Sequence, residues 1–313
     1  MRFELTTDQQ DFAASLESLL AAADPVAVAR AWAEGDHAPG LRLWQRLADQ
    51  GVSALLVPED ADGMGATPVE LVVAFEALGR HAVPGPWVEA AAYLATELSG
   101  EARAAVAAGT VVTVAVPPHT PYALDADVAQ TVYLAGSDGV RTATAGEPRA
   151  SVDRTRRLFP LTPGPVHDTA DRAQEAFDLA VLATSAQLLG AGERVLADAV
   201  TYVKQRRQFG REIGSYQAIK HQLADVRIAL DFARPLVFGA ALDPTPRSVS
   251  AAKVACADAA YLASRTGLQV HGAIGYTQEF DLSIWITRIR ALVTAWGTPA
   301  FHRARILETL RTS

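Results

Sequence analysis

Cysteine is nearly missing from this chain: Cys256 is the sole one in 313 residues, so no disulfide forms within it. A chain of this length buries enough core to need none, and a lone thiol fits a reducing cytosol. Positive charge is also short. Lys and Arg number 28 against 35 Asp and Glu, a formal net charge of −7. An acidic chain gains little from displacing phosphate counterions, which argues against nucleic acid as a general partner. Long apolar runs are missing too. The charge-free, helix-like apolar stretch Leu179 to Gly192 falls short of the ~20 residues a membrane helix needs. The opening Met1-Arg2-Phe3-Glu4-Leu5-Thr6 has no apolar stretch of signal-peptide type. There is no Walker loop, no dinucleotide-binding glycine triplet and no zinc-type Cys and His spacing. What remains is half hydrophobic and a fifth charged, an ordinary globular balance. The expectation is a cytoplasmic chain of two or three domains, with neither membrane nor nucleic acid as partner.

The first hundred residues read as helices. Thr7 or Asp8 is placed to cap a helix bearing Phe12, Leu16, Leu19 and Leu20. A second carries Leu41, Trp44, Leu47 and Ala48 and stops at Gly51. The turn-rich loop from Pro58 to Gly65 follows, and Pro68 opens a helix to about Arg80. Another Ala-rich helix runs from Pro86 to Gly109. The pattern then changes. Val111–Val116 reads as a strand, Thr131–Leu134 and Val140–Thr144 as a hairpin, and a short strand is expected over Leu158–Leu161. Helical pattern returns at Asp171–Arg207, where Gly190 and Gly192 point to close helix contact. Further helices are expected at Gln217–Ala240, Ser248–Val270, Leu282–Ala295 and Pro299–Leu310. The predicted layout is an N-terminal helical domain (1–108), a small β domain (109–170) and a C-terminal four-helix bundle (171–313), mainly α overall.

Few residues stand out for chemistry. His221 and His271 are lone histidines that read as structural hydrogen-bonders. Glu175 and Asp178 lie one helical turn apart, a pair that suits acid–base work or, more commonly, complements a helix dipole. Two stretches say more. In Lys204-Gln205-Arg206-Arg207-Gln208-Phe209-Gly210-Arg211, a helix ends in cations and an aromatic and then turns. Such a group suits a ligand with phosphate and a flat base, or equally a cationic helix end complementing its own dipole. In Gln269-Val270-His271-Gly272-Ala273-Ile274-Gly275-Tyr276, two glycines let a backbone approach a ligand closely, or simply stop a helix.

Together these stretches resemble the acyl-CoA dehydrogenase family of flavoproteins. The family's Trp, Gly, Pro-Glu and glycine-loop pattern falls on Trp44, Gly51, Pro58-Glu59 and Gly63-Met64-Gly65. Its Arg-x-x-Phe-Gly element falls on Arg206, Phe209 and Gly210. Its Gln-x-x-Gly-Gly-x-Gly-Tyr element falls on Gln269, Gly272, Ala273, Gly275 and Tyr276, with one glycine replaced. The resemblance implies an FAD cofactor and three domains in helix, sheet, helix order. It also implies that Arg206 meets a flavin pyrophosphate, that Phe209 and Tyr216 pack near its adenosine, and that Gln269, Gly272 and Ala273 offer contacts, with Gln208 a further donor.

The departures from the family are as informative. Its catalytic Glu commonly precedes Gly-Thr in the last loop, where this chain has Ala295-Trp296-Gly297-Thr298. An indole accepts no proton, so Trp296 is no base and is expected to fill space. The alternative base position, early in the long helix, aligns with Ala180. The Thr-Glu-x-x-x-Gly-Ser loop and the Trp-Ile/Val-Thr/Ser strand that cradle a chain's own flavin do not occur between Gly109 and Thr169, and Ala300 replaces a frequent Gln. The elements that serve a neighbouring subunit are kept while those serving the chain itself are not. The resemblance therefore implies a non-catalytic subunit of a heteromeric, two-plus-two acyl-CoA dehydrogenase. Its partner would be a full-length paralogue that binds most of the acyl-CoA, as in actinobacterial steroid side-chain degradation. The competing readings are a homomeric enzyme using Glu175 or Asp178 as base, and a flavin-free scaffold.

Overall fold

The computed structural model describes residues 4–168 and 172–312. Helix α1 (Thr7–Ala21) is capped by Thr6 and not by Thr7 or Asp8, because Thr6 accepts from the Gln9 amide while the Gln9 side chain closes back on Thr6. The short α2 (Pro25–Ala33), not anticipated, is capped by Asp24 and opened by Pro25. Helix α3 (Ala38–Asp49) stops ahead of Gly51, whose φ of +83° supplies the left-handed turn. Helix α4 (Pro68–Arg80) starts with a second capping box, Thr67 with Glu70. The segment expected as one Ala-rich helix is broken. A π-helix (Val88–Leu94) continues into the turn α5 (Ala95–Glu97), and α6 (Gly100–Ala107) follows only after Leu98 and Ser99 turn extended.

The middle segment holds β1 (Val112–Ala115), β2 (Ala123–Leu124), β3 (Thr131–Gly136), β4 (Gly139–Ala145), β5 (Leu158–Phe159) and β6 (Leu161–Asp168). The main sheet runs β1-β3-β4-β6, with β1 and β3 parallel and the other pairs antiparallel. The β3–β4 hairpin turns where expected, with Gly136 opposite Gly139. The expected strand at Leu158–Leu161 is divided between β5, which pairs with β2, and β6. Pro163 and Pro165 obscured β6 in the sequence. An edge strand tolerates them because it has donors to spare.

The remainder is helical: α7 (Ala173–Gln205), the two-residue strands β7 (Arg207–Gln208) and β8 (Arg211–Glu212), α8 (Gln217–Leu242), α9 (Pro246–His271), α10 (Leu282–Thr294) and α11 (Pro299–Thr312). The expected helix start at Asp171 lies outside the described residues. Helices α7, α8 and α10 pack around α9 as a bundle, and α11 lies against α9. Two glycines let α7 approach its neighbours, as anticipated: a Cβ on Gly190 would fall 2.0 Å from the Glu76 carbonyl oxygen, and one on Gly192 would fall 2.8 Å from Leu230 Cδ2. One apolar core continues from Leu16 and Trp44 through Phe75 to Val181, Leu189 and Ile289. The buried Arg288 ties the parts together. It pairs with Asp153 and donates from Nη1 to the Val83 carbonyl (2.9 Å) and from Nη2 to Thr155 Oγ1 (2.6 Å). No single helix among the described residues is long and apolar enough to cross a membrane.

Candidate functional site

The cationic stretch forms a small projecting hairpin at the end of α7. Arg206 leaves the helix in an extended conformation, and Arg207 pairs with Glu212 and Gln208 with Arg211 across the turn. Phe209 and Gly210 make that turn with φ of +53° and +81°. A phenylalanine in the left-handed region is strained, and here it is also 91% exposed. The Tyr216 hydroxyl lies 3.4 Å from the Gln208 carbonyl oxygen, and the Arg211 guanidinium covers the Tyr216 ring at 3.9 Å. The hairpin folds back closely enough that a Cβ on Gly214 would touch Val203 at 3.0 Å.

The second stretch arrives at the same end of the bundle. Val270 of α9 packs with Ala199 and Val203 of α7, against Ile213 and Ile219. His271 stacks on Tyr202 with ring centroids 4.2 Å apart, and its Nδ1 donates to the Gly267 carbonyl (2.7 Å), the structural role expected of it. Gln269, Gly272 and Ala273 are exposed beyond this packing, and Gly272 ends α9 with φ of +62°. The side chain of Tyr276 lies outside the described residues. Arg206, Gln208, Phe209, Tyr216, Gln269, Gly272 and Ala273 are thus gathered at one end of the bundle, where Arg206 supplies a cation, Phe209 and Tyr216 rings, and Gln208 and Gln269 amides. These donors and the open ring suit an anionic ligand with a flat base.

The last loop sits near the other end of α7. Trp296 is 1% exposed, with φ of +55°, its ring 5.4 Å from Tyr93 and 6.1 Å from Phe177 of α7. Its indole hydrogen-bonds to Glu89, whose carboxyl complete burial raises above the usual carboxylate range, against the opposing pull of Arg156 and of that hydrogen bond. The Trp296 carbonyl accepts from His302 Nε2 (3.0 Å), so His302 Nδ1 accepts from Ser250 (3.1 Å) and the ring is neutral. Burial holds that imidazole down at about 4. Lys253, fully buried and lowered by burial to about 7, donates to the Leu292 and Val293 carbonyls (2.6 and 3.2 Å) at the end of α10. Trp296 therefore fills a packed interior, as expected, and Ala180 of α7 is buried as well.

Glu175 and Asp178 are already partnered. Asp178 pairs with Arg305 (2.5 Å) and Glu175 with Arg172 (3.0 Å), both beside a cleft of about 170 Å³. Glu89, Lys253 and His302 were not singled out from the sequence. The one available signal was a charged residue inside an apolar helical stripe, as Lys253 is among Val249, Ala252 and Cys256.

Models of the acyl-CoA dehydrogenase N-terminal domain and of the acyl-CoA dehydrogenase C-terminal domain match residues 6–110 and 170–310. The chain belongs to the acyl-CoA dehydrogenase family. Among acyl-CoA dehydrogenases it is 32% identical to acyl-CoA dehydrogenase IpdE2 of Mycobacterium tuberculosis over 298 residues, spanning 90% of each chain. It is 32% identical to IpdE2 of Mycolicibacterium smegmatis, spanning 91% of this chain and 92% of that one. The acyl-CoA dehydrogenase fold is shared with the ChsE4-ChsE5 complex of Mycobacterium tuberculosis (TM-score 0.83, 22% identity, all of both chains). It is shared as well with a variant of the steroid ACAD Tcur3481-Tcur3483 (TM-score 0.84, 21% identity, 97% of this chain and 98% of that one).

Proposed function

We propose that this chain is the non-catalytic subunit of a heteromeric, FAD-dependent acyl-CoA dehydrogenase, and that its α7 hairpin completes the flavin site of a full-length paralogue. One observation carries this reading. Phe177 touches Trp296 near the start of α7 and Arg206 follows its end, so about 28 helical residues, or about 40 Å, separate the hairpin from the chain's own last loop. The hairpin is therefore out of reach of that loop, and its exposed ring and guanidiniums face outward.

In this reading Arg206 binds the cofactor pyrophosphate, with Gln208 as a further donor. Phe209 and Tyr216 pack against its adenosine, and Gln269, Gly272 and Ala273 close the contact from α9. When bound, FAD supplies the two-electron acceptor for α,β-dehydrogenation of an acyl-CoA. Trp296 accepts no proton and fills the interior between Tyr93 and Phe177, so the base and most of the acyl-CoA site belong to the paralogue. A heteromeric assembly and a steroid thioester as substrate draw support from the fold shared with the ChsE4-ChsE5 complex and with a steroid ACAD, and the assembly is proposed as two of each chain. The partnering of Asp178 and Glu175 by guanidiniums weighs against either as base in a homomeric enzyme.

The test is to purify the chain alone and with its paralogue, and to compare flavin absorbance and acyl-CoA oxidation. Flavin and turnover are expected only in the complex, with flavin retention weakened by Arg206→Ala. Stoichiometric flavin and turnover in this chain alone would falsify the reading.

A further inference from the structure

The two stretches gathered at one end of the bundle ride on different helices, the hairpin on α7 and Gln269–Ala273 on α9. Their spacing is fixed only if something on one arm grips the other. His271 does so. It is the last residue of α9, between the exposed Gln269 and Gly272, yet it is itself only 4% exposed. Its ring stacks on Tyr202 of α7 with 29° between the planes, and Phe280 packs on it at 5.1 Å. The bond from its Nδ1 to the Gly267 carbonyl sets the rotation of the ring on α9.

Tyr202 in turn holds Arg206. The Arg206 amide donates to the Tyr202 carbonyl (2.9 Å), and the Arg206 carbonyl accepts from the Ile213 amide (2.8 Å) on the returning chain. Both backbone polar groups of Arg206 are therefore committed, and its guanidinium starts from wherever the end of α7 is held. Helix ends fray unless packed. In this last turn Lys204 and Gln205 are exposed, so Val203 and Tyr202 supply the packing, Val203 within the apolar cluster and Tyr202 against His271.

We propose that His271 is a positioning residue for the flavin contact: by stacking on Tyr202 it fixes the end of α7, and with it Arg206, relative to the Gln269–Ala273 arm. The proposal rests on the reading that the hairpin serves a paralogue's flavin. Buried as it is, His271 touches no cofactor and acts through Tyr202 and Arg206. A ring pair of this kind shifts an equilibrium by a factor of about 2 to 12.

Two measurements test this: FAD dissociation constants of the complex with the paralogue, and hydrogen exchange of the Arg206 amide in the isolated chain. His271→Ala is expected to speed exchange at Arg206 and to weaken FAD by about three- to tenfold. His271→Gln keeps a donor but no ring and is expected to do the same, which serves should the alanine variant fail to fold. His271→Phe keeps a ring against Tyr202 and is expected to stay within about twofold of the parent. Joined to Arg206→Ala, His271→Ala is expected to add no more than about twofold, because it acts through Arg206. Unchanged exchange at Arg206 overturns the proposal, as do full additivity of the two variants and a His271→Phe variant as weak as His271→Ala. FAD affinity lowered by Arg206→Ala but untouched by His271→Ala overturns the positioning role alone. FAD affinity untouched by Arg206→Ala overturns the flavin reading of the hairpin, and the proposal with it.

Discussion

Gly190 rests against Glu76: a Cβ on the glycine would lie 2.0 Å from the Glu76 carbonyl oxygen, with the Arg80 amide nitrogen at 2.9 Å. The obstacle is backbone of α4, which cannot swing aside as a side chain can. Gly190→Ala gains about 1 kcal/mol of helix propensity and loses up to about 3 kcal/mol to overpacking, a net cost of about 2 kcal/mol. Gly192→Ala meets first the flexible end of Leu230 and is expected to cost less. Urea midpoints of the two variants check this order.

Arg288 is the second structural hinge-point. Removing it in Arg288→Ala strands Asp153 at 1% exposure and frees the Val83 carbonyl, for an expected loss of about 3–5 kcal/mol. Replacing both members, Arg288→Met with Asp153→Leu, is expected to cost less than Arg288→Ala, because no buried charge is left alone. Equilibrium unfolding of the single and double variants decides it.

Phe209 occupies left-handed backbone that costs a non-glycine residue about 1–2 kcal/mol. Phe209→Gly relieves the strain and removes a ring that packs on nothing in its own chain. The melting temperature of the isolated chain should hold or rise, while flavin retained by the complex falls. A drop in both would mean that the ring is structural after all.

Two buried groups set opposite slopes of stability with pH. His302 is held down at about 4, against about 6.5 in the unfolded chain. The unfolded chain therefore binds the extra proton between these values, and stability falls as pH drops from 6.5 to 4. Asp125 is raised by burial to about 7 from 3.8, so the folded chain holds a proton the unfolded one releases, and stability falls as pH rises across that interval. Unfolding free energies at pH 4.5 and 6.5, roughly the edges of the window, should show His302→Gln less acid-sensitive than the parent and Asp125→Asn steeper in its gain toward neutral pH.

Much of this was legible in the sequence because it rests on local rules. The β3–β4 hairpin follows from Gly136 and Gly139, the stop of α3 from Gly51, and the close crossings of α7 from Gly190 and Gly192. The gathering of Phe209 and Gln269 at one end followed from the motifs, but not the exposure of Phe209, which depends on the hairpin projecting past the bundle. Helix α2 carries start signals in Asp24 and Pro25, but its 9 residues are too few for an apolar period to stand out. The π-helix at Val88–Leu94 has no local signature, since an Ala-rich run suits either winding.

The clamping of α7 has a consequence for how such a chain changes over generations. Because Gly190 and Gly192 lock its middle between α4, α8 and α9, substitutions around Phe177 and Ala180 alter one end without displacing the hairpin beyond Val203. On the proposed reading, a gene copy can thus shed its own chemistry at one end while service to a neighbour, at the other, stays under selection. The helix works as an insulator between two histories.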